Sequence, residues 1–173
     1  DVVDYSDQTY SITVDLQAGS ASGVIGSTLG TDVLSQIENV VAGSGDDLLL
    51  GDALANDLSG GAGQDTLSGG EGNDSLHAGP GSDSIEGGNG SDFVFFDDVT
   101  GPVIVDLDAG TATGDAGSNA GADTLSSIEN VIGSGGADSI YGSSAANYIN
   151  GAGGADLIQS GAGNDTVVFD AND

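Results

Sequence analysis

The feature that most constrains this chain is a nine-residue period. Gly60-Gly-Ala-Gly-Gln-Asp-Thr-Leu-Ser68 is followed without a gap by units starting at Gly69, Ala78 and Gly87. Residues 42–50 and 51–59 keep the frame more loosely, which makes six units, and four more begin at Gly133, Gly142, Gly151 and Ser160. Glycines recur at positions 1, 2 and 4, where positive φ and close backbone approach are tolerated. Position 6 carries an oxygen-bearing side chain: Asp47, Asn56, Asp65, Asp74, Asp83 and Asp92, then Asp138, Asn147, Asp156 and Asp165. Position 8 carries one aliphatic, from Leu49 and Leu58 through Ile158 and Val167. A three-residue strand centred there turns its middle residue inward and its neighbours outward. One such nonapeptide cannot close a coil. Two can, as an 18-residue coil with a strand on each side and a turn at each end, so that each turn stacks on the turn two repeats away.

A longer repeat lies over the short one. Ile12-Thr-Val-Asp-Leu-Gln-Ala-Gly19 returns 91 residues later as Val103-Ile-Val-Asp-Leu-Asp-Ala-Gly110, and Ile37-Glu-Asn-Val40 returns as Ile128-Glu-Asn-Val131. Each copy therefore has a β-rich lead and a Gly/Asp tract. The leads alternate apolar and polar residues (Ile12, Val14, Leu16; Val103, Val105, Leu107) before an Ala-Gly pair, the pattern of a strand entering a hairpin. Phe93-Val-Phe-Phe-Asp97 matches Thr166-Val-Val-Phe-Asp170 at an offset shorter by 18, because the second tract has two units fewer. The expected organisation is a lead over 1–41, a first tract over 42–98, a second lead over 99–132 and a second tract over 133–173.

Charge then narrows the function. The 173 residues include 28 Asp and Glu, no Lys or Arg and one His, a formal charge of −28. Without cations the chain has no phosphate-neutralising surface, which excludes nucleic acid and anionic membranes as direct partners. It has no Lys for a Walker loop or Schiff base and, with no Cys, neither disulfides nor thiolate metal sites. Yet 37% of the residues are apolar, more than a charged disordered tail carries. No side chain can neutralise so much acid, so a hard divalent cation bound through oxygen is the candidate. No apolar run approaches the ~18 residues of a membrane span, and Asp1 opens no signal peptide.

The frame G-G-x-G-x-D-x-U-x resembles the hemolysin-type, or repeats-in-toxin (RTX), calcium-binding family. The resemblance implies an all-β fold, two tandem parallel β-rolls of the β-helix or solenoid kind, each with a hairpin lead. It also implies calcium between stacked turns, held by position-6 side chains and backbone carbonyls. The carboxylate pairs would be Asp47 with Asp65, Asp65 with Asp83, Asp74 with Asp92, and Asp138 with Asp156. Asn56 over Asp74 and Asn147 over Asp165 would make two weaker sites, since an amide oxygen adds no charge. The turn glycines at these sites would be Gly43, Gly45, Gly61, Gly63, Gly70, Gly72, Gly79, Gly81, Gly88 and Gly90. The second tract would add Gly136, Gly154, Gly161 and Gly163. About six Ca2+ ions or more would bind, and six would reduce −28 to −16. With a core one aliphatic deep per strand, metal binding and folding should be one event.

The same resemblance implies a non-enzymatic structural module of a larger exported bacterial protein, secreted through a type I machine or held at the surface of a Gram-negative-type cell. Its partners would be calcium and neighbouring domains of the parent chain. Two alternatives are an accessory module of a polysaccharide-active enzyme and a surface-layer or adhesin segment that self-associates through calcium-bridged acidic faces. Among individual residues, Asp32 and Asp123 sit in Gly-x-Asp-x-Leu and similar contexts that mimic a degenerate turn and would ligate an outermost ion. Glu38 and Glu129 read as end-of-roll ligands or a solvated face. His77, at position 9, should face solvent. Phe93, Phe95, Phe96 and Phe169 should plug roll ends, where terminal repeats need caps. Tyr141 and Tyr148 should pack against the lead hairpin. Neither a glycosidase carboxylate pair in an aromatic cleft nor a regular outward Thr array for ice is present in the pattern.

Overall fold

The structure is a computed structural model that describes residues 1–24, 29–115 and 118–169. Asp170, the last residue of the second Phe-Asp match, lies outside the described residues. All regular structure among the described residues is β. Among the described residues two sheets, of eight and eleven strands, face each other across two opposed rows of aliphatics, one from each sheet. The first has eight strands, all parallel: Val2–Asp4, Asn39–Val41, Asp57–Ser59, Ser75–His77, Phe93–Phe95, Asn130–Ile132, Tyr148–Asn150 and Thr166–Val168. The second has eleven strands and includes Leu48–Leu50, Thr66–Glu71 and Ser84–Asn89 from the first tract.

The 18-residue coil is visible in the register. Leu67 pairs with Leu49, and Ile85 with Leu67, in parallel. Successive nonapeptides alternate between the sheets, so Leu58, Leu76 and Val94 form the opposing row. Every one of these six side chains is at most 1% exposed. The flanking strand residues stay half-buried or exposed, as the period-2 geometry demands. At an aliphatic per strand, burial contributes roughly 2 kcal/mol per coil side, set against the ordering of nine backbone residues.

The leads enter the same two sheets. In each, three strands make an antiparallel meander: Ile12–Asp15, Ser20–Gly23 and Thr31–Val33 in the first, Val103–Asp106, Thr111–Gly114 and Ala122–Ser126 in the second. The opening strand of each meander pairs in parallel with its own tract, Val14 beside Leu49 and Val105 beside Ile140. Gly19 and Gly110 make the hairpin corners at φ of 66° and 68°. The third strand of the second meander lies in parallel beside Ser84–Asn89 of the first tract, with Ile85 against Leu125. On the other sheet Asn130–Ile132 lies beside Phe93–Phe95. Both sheets therefore run without interruption from the first tract into the second lead.

Candidate metal centre

The turns at the two edges of the stack place the position-6 side chains in columns. In one column Asp47 N–H donates to Asp65 Oδ1 at 2.8 Å, and Asp65 N–H donates to Asp83 Oδ1 at 2.8 Å. In the other, Asn56 N–H donates to Asp74 Oδ1 and Asp74 N–H to Asp92 Oδ1, at 2.8 and 2.9 Å. The second tract repeats this, Asp138 N–H to Asp156 Oδ1 at 2.8 Å and Asn147 N–H to Asp165 Oδ1 at 3.1 Å. One carboxylate oxygen thus carries the stacking, because every turn offers the next an N–H that no strand partner uses.

The second oxygen divides these residues: Oδ2 of Asp47 and Asp138 accepts an N–H from its own turn, Gly43 at 3.4 Å and Ser134 at 2.7 Å, whereas others have no such partner. Oδ2 of Asp65, Asp74, Asp83, Asp92 and Asp123 is buried and accepts no hydrogen bond. Burial and the lost hydration raise the carboxyls of Asp65, Asp83 and Asp123 to about 7, against the donated N–H bonds and with help from neighbouring acids for Asp65 and Asp83. Asp47, Asp74, Asp92 and Asp138 are raised for the same leading reason. Desolvated carboxylates need a positive partner, and the only side-chain base in the sequence is His77.

The turn backbone stacks as closely as the side chains do, and Oδ2 of Asp65, Asp74 and Asp92 lies against the first glycine of its own turn, Gly60, Gly69 and Gly87. Gly79, at φ 88°, lies so close over the Gly61 carbonyl that a Cβ would collide with its oxygen. Gly63 meets the Gly45 carbonyl, Gly81 that of Gly63, Gly88 and Gly90 those of Gly70 and Gly72, and Gly154 that of Gly136. Gly61 stands likewise over Gly43, whereas Gly70, Gly72, Gly161 and Gly163 stand over Asp52, Leu54, Ser143 and Ala145. At the tract starts the neighbour is the lead: Gly43 abuts the Gln8 carbonyl, Gly45 the Tyr10–Ser11 peptide, and Gly136 the Gly101–Pro102 peptide. Carbonyl oxygens and unpaired carboxylate oxygens together form the hard oxygen donor set that Ca2+ takes. Among the described residues no group of three or more Asp, Glu or His side chains converges on one point, so any ion here draws on backbone oxygen as well.

Asn56 and Asn147 add a donor that the aspartates lack. Each amide oxygen accepts an N–H from its own turn, Asp52 and Ser143 respectively, at 2.8 Å. Each amide nitrogen donates to a lead carbonyl, Asn56 to Glu38 at 2.9 Å and Asn147 to Glu129 at 2.8 Å. The amide supplies a donor where a tract meets its lead, which a carboxylate could not do.

The lead carboxylates divide. Asp123 joins the column, accepting Asp83 N–H at 3.0 Å. Glu129 Oε2 accepts Asp92 N–H at 3.0 Å, standing where an aspartate would in a full turn. Of their first-copy counterparts, Glu38 keeps the arrangement, accepting from the nitrogen 37 residues before it as Glu129 does, and only Asp32 departs from it. Asp32 accepts the Tyr5 hydroxyl at 3.0 Å, and Glu38 pairs with the Asp1 ammonium. Burial, then the Asp32 bond, pushes the Tyr5 phenol up to about 12.

The aromatic residues correct the end-plug expectation. Only Phe96 is buried, at 1% exposure, with Tyr5 (7%) in the equivalent place of the first lead, while Phe169 is 68% exposed. Phe93 and Phe95 flank the inward Val94 on the outer face of the eight-stranded sheet. His77 stacks on Phe95 at 4.2 Å between ring centroids, and Phe93 lies 5.9 Å from Phe95 and 5.7 Å from Tyr148. His77 does point outward, yet its side chain is only 24% exposed, held between Asp57 and Asp97 at 3.6 and 3.5 Å. The period itself contained this signal, since positions 7 and 9 must face away from the core. Tyr141 lies beside Asp106 of the lead hairpin as expected, whereas Tyr148 packs on Phe93.

A two-sheet parallel β-roll, its stacked Gly/Asp turns holding unpaired buried carboxylate oxygens, is the architecture of a calcium-binding repeat module. The family model of the RTX calcium-binding nonapeptide repeat matches residues 35–67, 59–94 and 131–167, more than half of the chain, and the chain belongs to that family. The repeats of this family bind calcium. Comparison with curated proteins yields no match.

Proposed function

We propose that this chain is a calcium-triggered folding module of a larger exported bacterial protein, with a structural role and no catalysis. The observation that carries the reading is that Oδ2 of Asp65, Asp74, Asp83, Asp92 and Asp123 is buried without a hydrogen-bond partner among the described residues, in a chain with no Lys or Arg. The ions would sit between stacked turns, at Asp47 with Asp65, Asp65 with Asp83, Asp74 with Asp92 and Asp138 with Asp156. Carbonyls of the intervening glycine turns complete each site. The turns of Asn56 and Asn147 are the weakest candidates, because an amide oxygen adds no charge and its nitrogen is already committed to a lead carbonyl. Calcium supplies positive charge there; the chain's own part is to desolvate and align the oxygens.

This chemistry suits export. The chain would cross unfolded where calcium is scarce and order where calcium is millimolar, gaining stability by mass action. Circular dichroism during a calcium titration, with magnesium as control and calorimetry for stoichiometry, tests the reading. A cooperative gain of β-structure with calcium alone, taking up about six ions, is the expected result. A chain fully folded in chelator refutes the coupling of binding to folding. A second reading, an accessory role on polysaccharide, is favoured by the outer row of rings from His77 to Tyr148, and glycan-array binding tests it. Calcium-dependent sedimentation tests self-association in the same preparation.

A further inference from the structure

We propose that the second lead closes an additional calcium site against the end of the first tract, between Asp83 and Asp123. The site deepens the calcium reading above and rests on it. Asp83 belongs to the last nonapeptide turn on its edge, and what stacks beyond it is a segment from 40 residues further along the chain. Residues 121–126, Gly-Ala-Asp-Thr-Leu-Ser, repeat positions 4 to 9 of the nonapeptide without its first half. They also take the nonapeptide's place in the sheet, Thr124 beside Ser84, Leu125 beside Ile85 and Ser126 beside Glu86.

The turn geometry is that of a full repeat. Asp83 N–H donates to Asp123 Oδ1 at 3.0 Å, as Asp65 N–H donates to Asp83 Oδ1. Gly121, at φ 76°, stands over the Gly81 carbonyl with no room for a Cβ, as Gly81 stands over that of Gly63. Asp123 and Asp83 are each 3% exposed. Oδ2 of both is buried and accepts no hydrogen bond. Two desolvated carboxylate oxygens in consecutive stacked turns, in a chain with no Lys or Arg, match a divalent ion of the calcium kind better than magnesium, which demands a tight octahedron and keeps its waters. Asp123 lies outside every segment matched by the family model.

The duplication provides an internal control. Asp32 is the counterpart of Asp123 at 91 residues' remove. Its strand, Thr31–Val33, ends the eleven-stranded sheet among the described residues, and Asp32 accepts the Tyr5 hydroxyl instead.

The test counts calcium ions on the full chain by native mass spectrometry at saturating calcium, for the wild type, Asp123→Asn and Asp32→Asn. Asparagine keeps the acceptor for Asp83 N–H, and circular dichroism checks the fold. Asp123→Asn should carry one ion fewer than wild type, and Asp32→Asn the full number. A wild type that binds calcium while Asp123→Asn keeps the full complement overturns this site alone. A wild type that binds none overturns the calcium reading and this site with it. Amide exchange on the unmodified chain is independent of any variant's folding. Calcium should slow exchange across residues 121–126, and unchanged exchange there, with slowing elsewhere in the first tract, also overturns the site.

Discussion

Acid should substitute for calcium. Asp65, Asp83 and Asp123 are each raised from 3.8 to about 7 in the folded chain, chiefly by burial. The folded state therefore holds protons that the unfolded state releases. Stability from these groups is fully present below the unfolded value near 3.8 and is lost as pH rises through about 7. A rise of about 3 units at 1.36 kcal/mol each makes the penalty for folding with all three ionised about 4 kcal/mol per group. The three lie in one column and are coupled, so the penalties do not simply add, yet even one is a large part of an ordinary domain's stability of roughly 5–15 kcal/mol. In chelator, the chain should be poorly ordered at pH 7.5 and regain most of its β-structure by about pH 4.5. Calcium affinity should move oppositely and weaken as pH falls through 7, because protons and ions compete for the same oxygens. The assay is far-ultraviolet circular dichroism against pH in chelator, at a concentration where sedimentation shows monomers, since the pI is about 4.1. The companion variant Asp65→Asn/Asp83→Asn/Asp123→Asn mimics the protonated column and should order at pH 7.5 without metal. A metal-free β-signal that stays flat or declines from pH 7.5 to 4.5 would refute the reasoning.

Further predictions address single positions. Leu67→Ala empties a fully buried place between Leu49 and Ile85 and should cost about 2–5 kcal/mol, read from denaturant unfolding in saturating calcium. Gly79→Ala combines a φ of 88° with a collision against the Gly61 carbonyl. It should reduce calcium affinity at least as much as thermal stability, whereas Ser84→Ala on the exposed strand face should alter neither. Asn56→Asp removes the amide donor to the Glu38 carbonyl and should destabilise the holo chain by about 1–3 kcal/mol; an equally stable variant would show that the bond is dispensable. Phe95→Ala strips the ring that covers His77 and should leave calcium stoichiometry unchanged, because the outer face is remote from the turns.

Repeat architecture is legible because it is local. Nine residues specify a turn and a strand, and stacking joins only neighbouring coils, so the 18-residue coil, the inward aliphatic row and the acidic columns follow from spacing alone. The absence of Lys and Arg similarly determined, before any fold, that the acid had to meet a metal. What the period could not show is where a tract ends. Glu129 stands in an aspartate's place, Asp123 extends the column while Asp32 accepts the Tyr5 hydroxyl, and the Asn56 amide donates to a lead carbonyl. Those outcomes depend on which segment, 37 or 40 residues away, comes to lie beside the last coil. The burial that raises the carboxyls is likewise a property of the stack, because an Asp in an isolated nonapeptide stays in water. Periodicity decided the shape of each turn; only the closed two-sheet stack decided which oxygens are left without a partner.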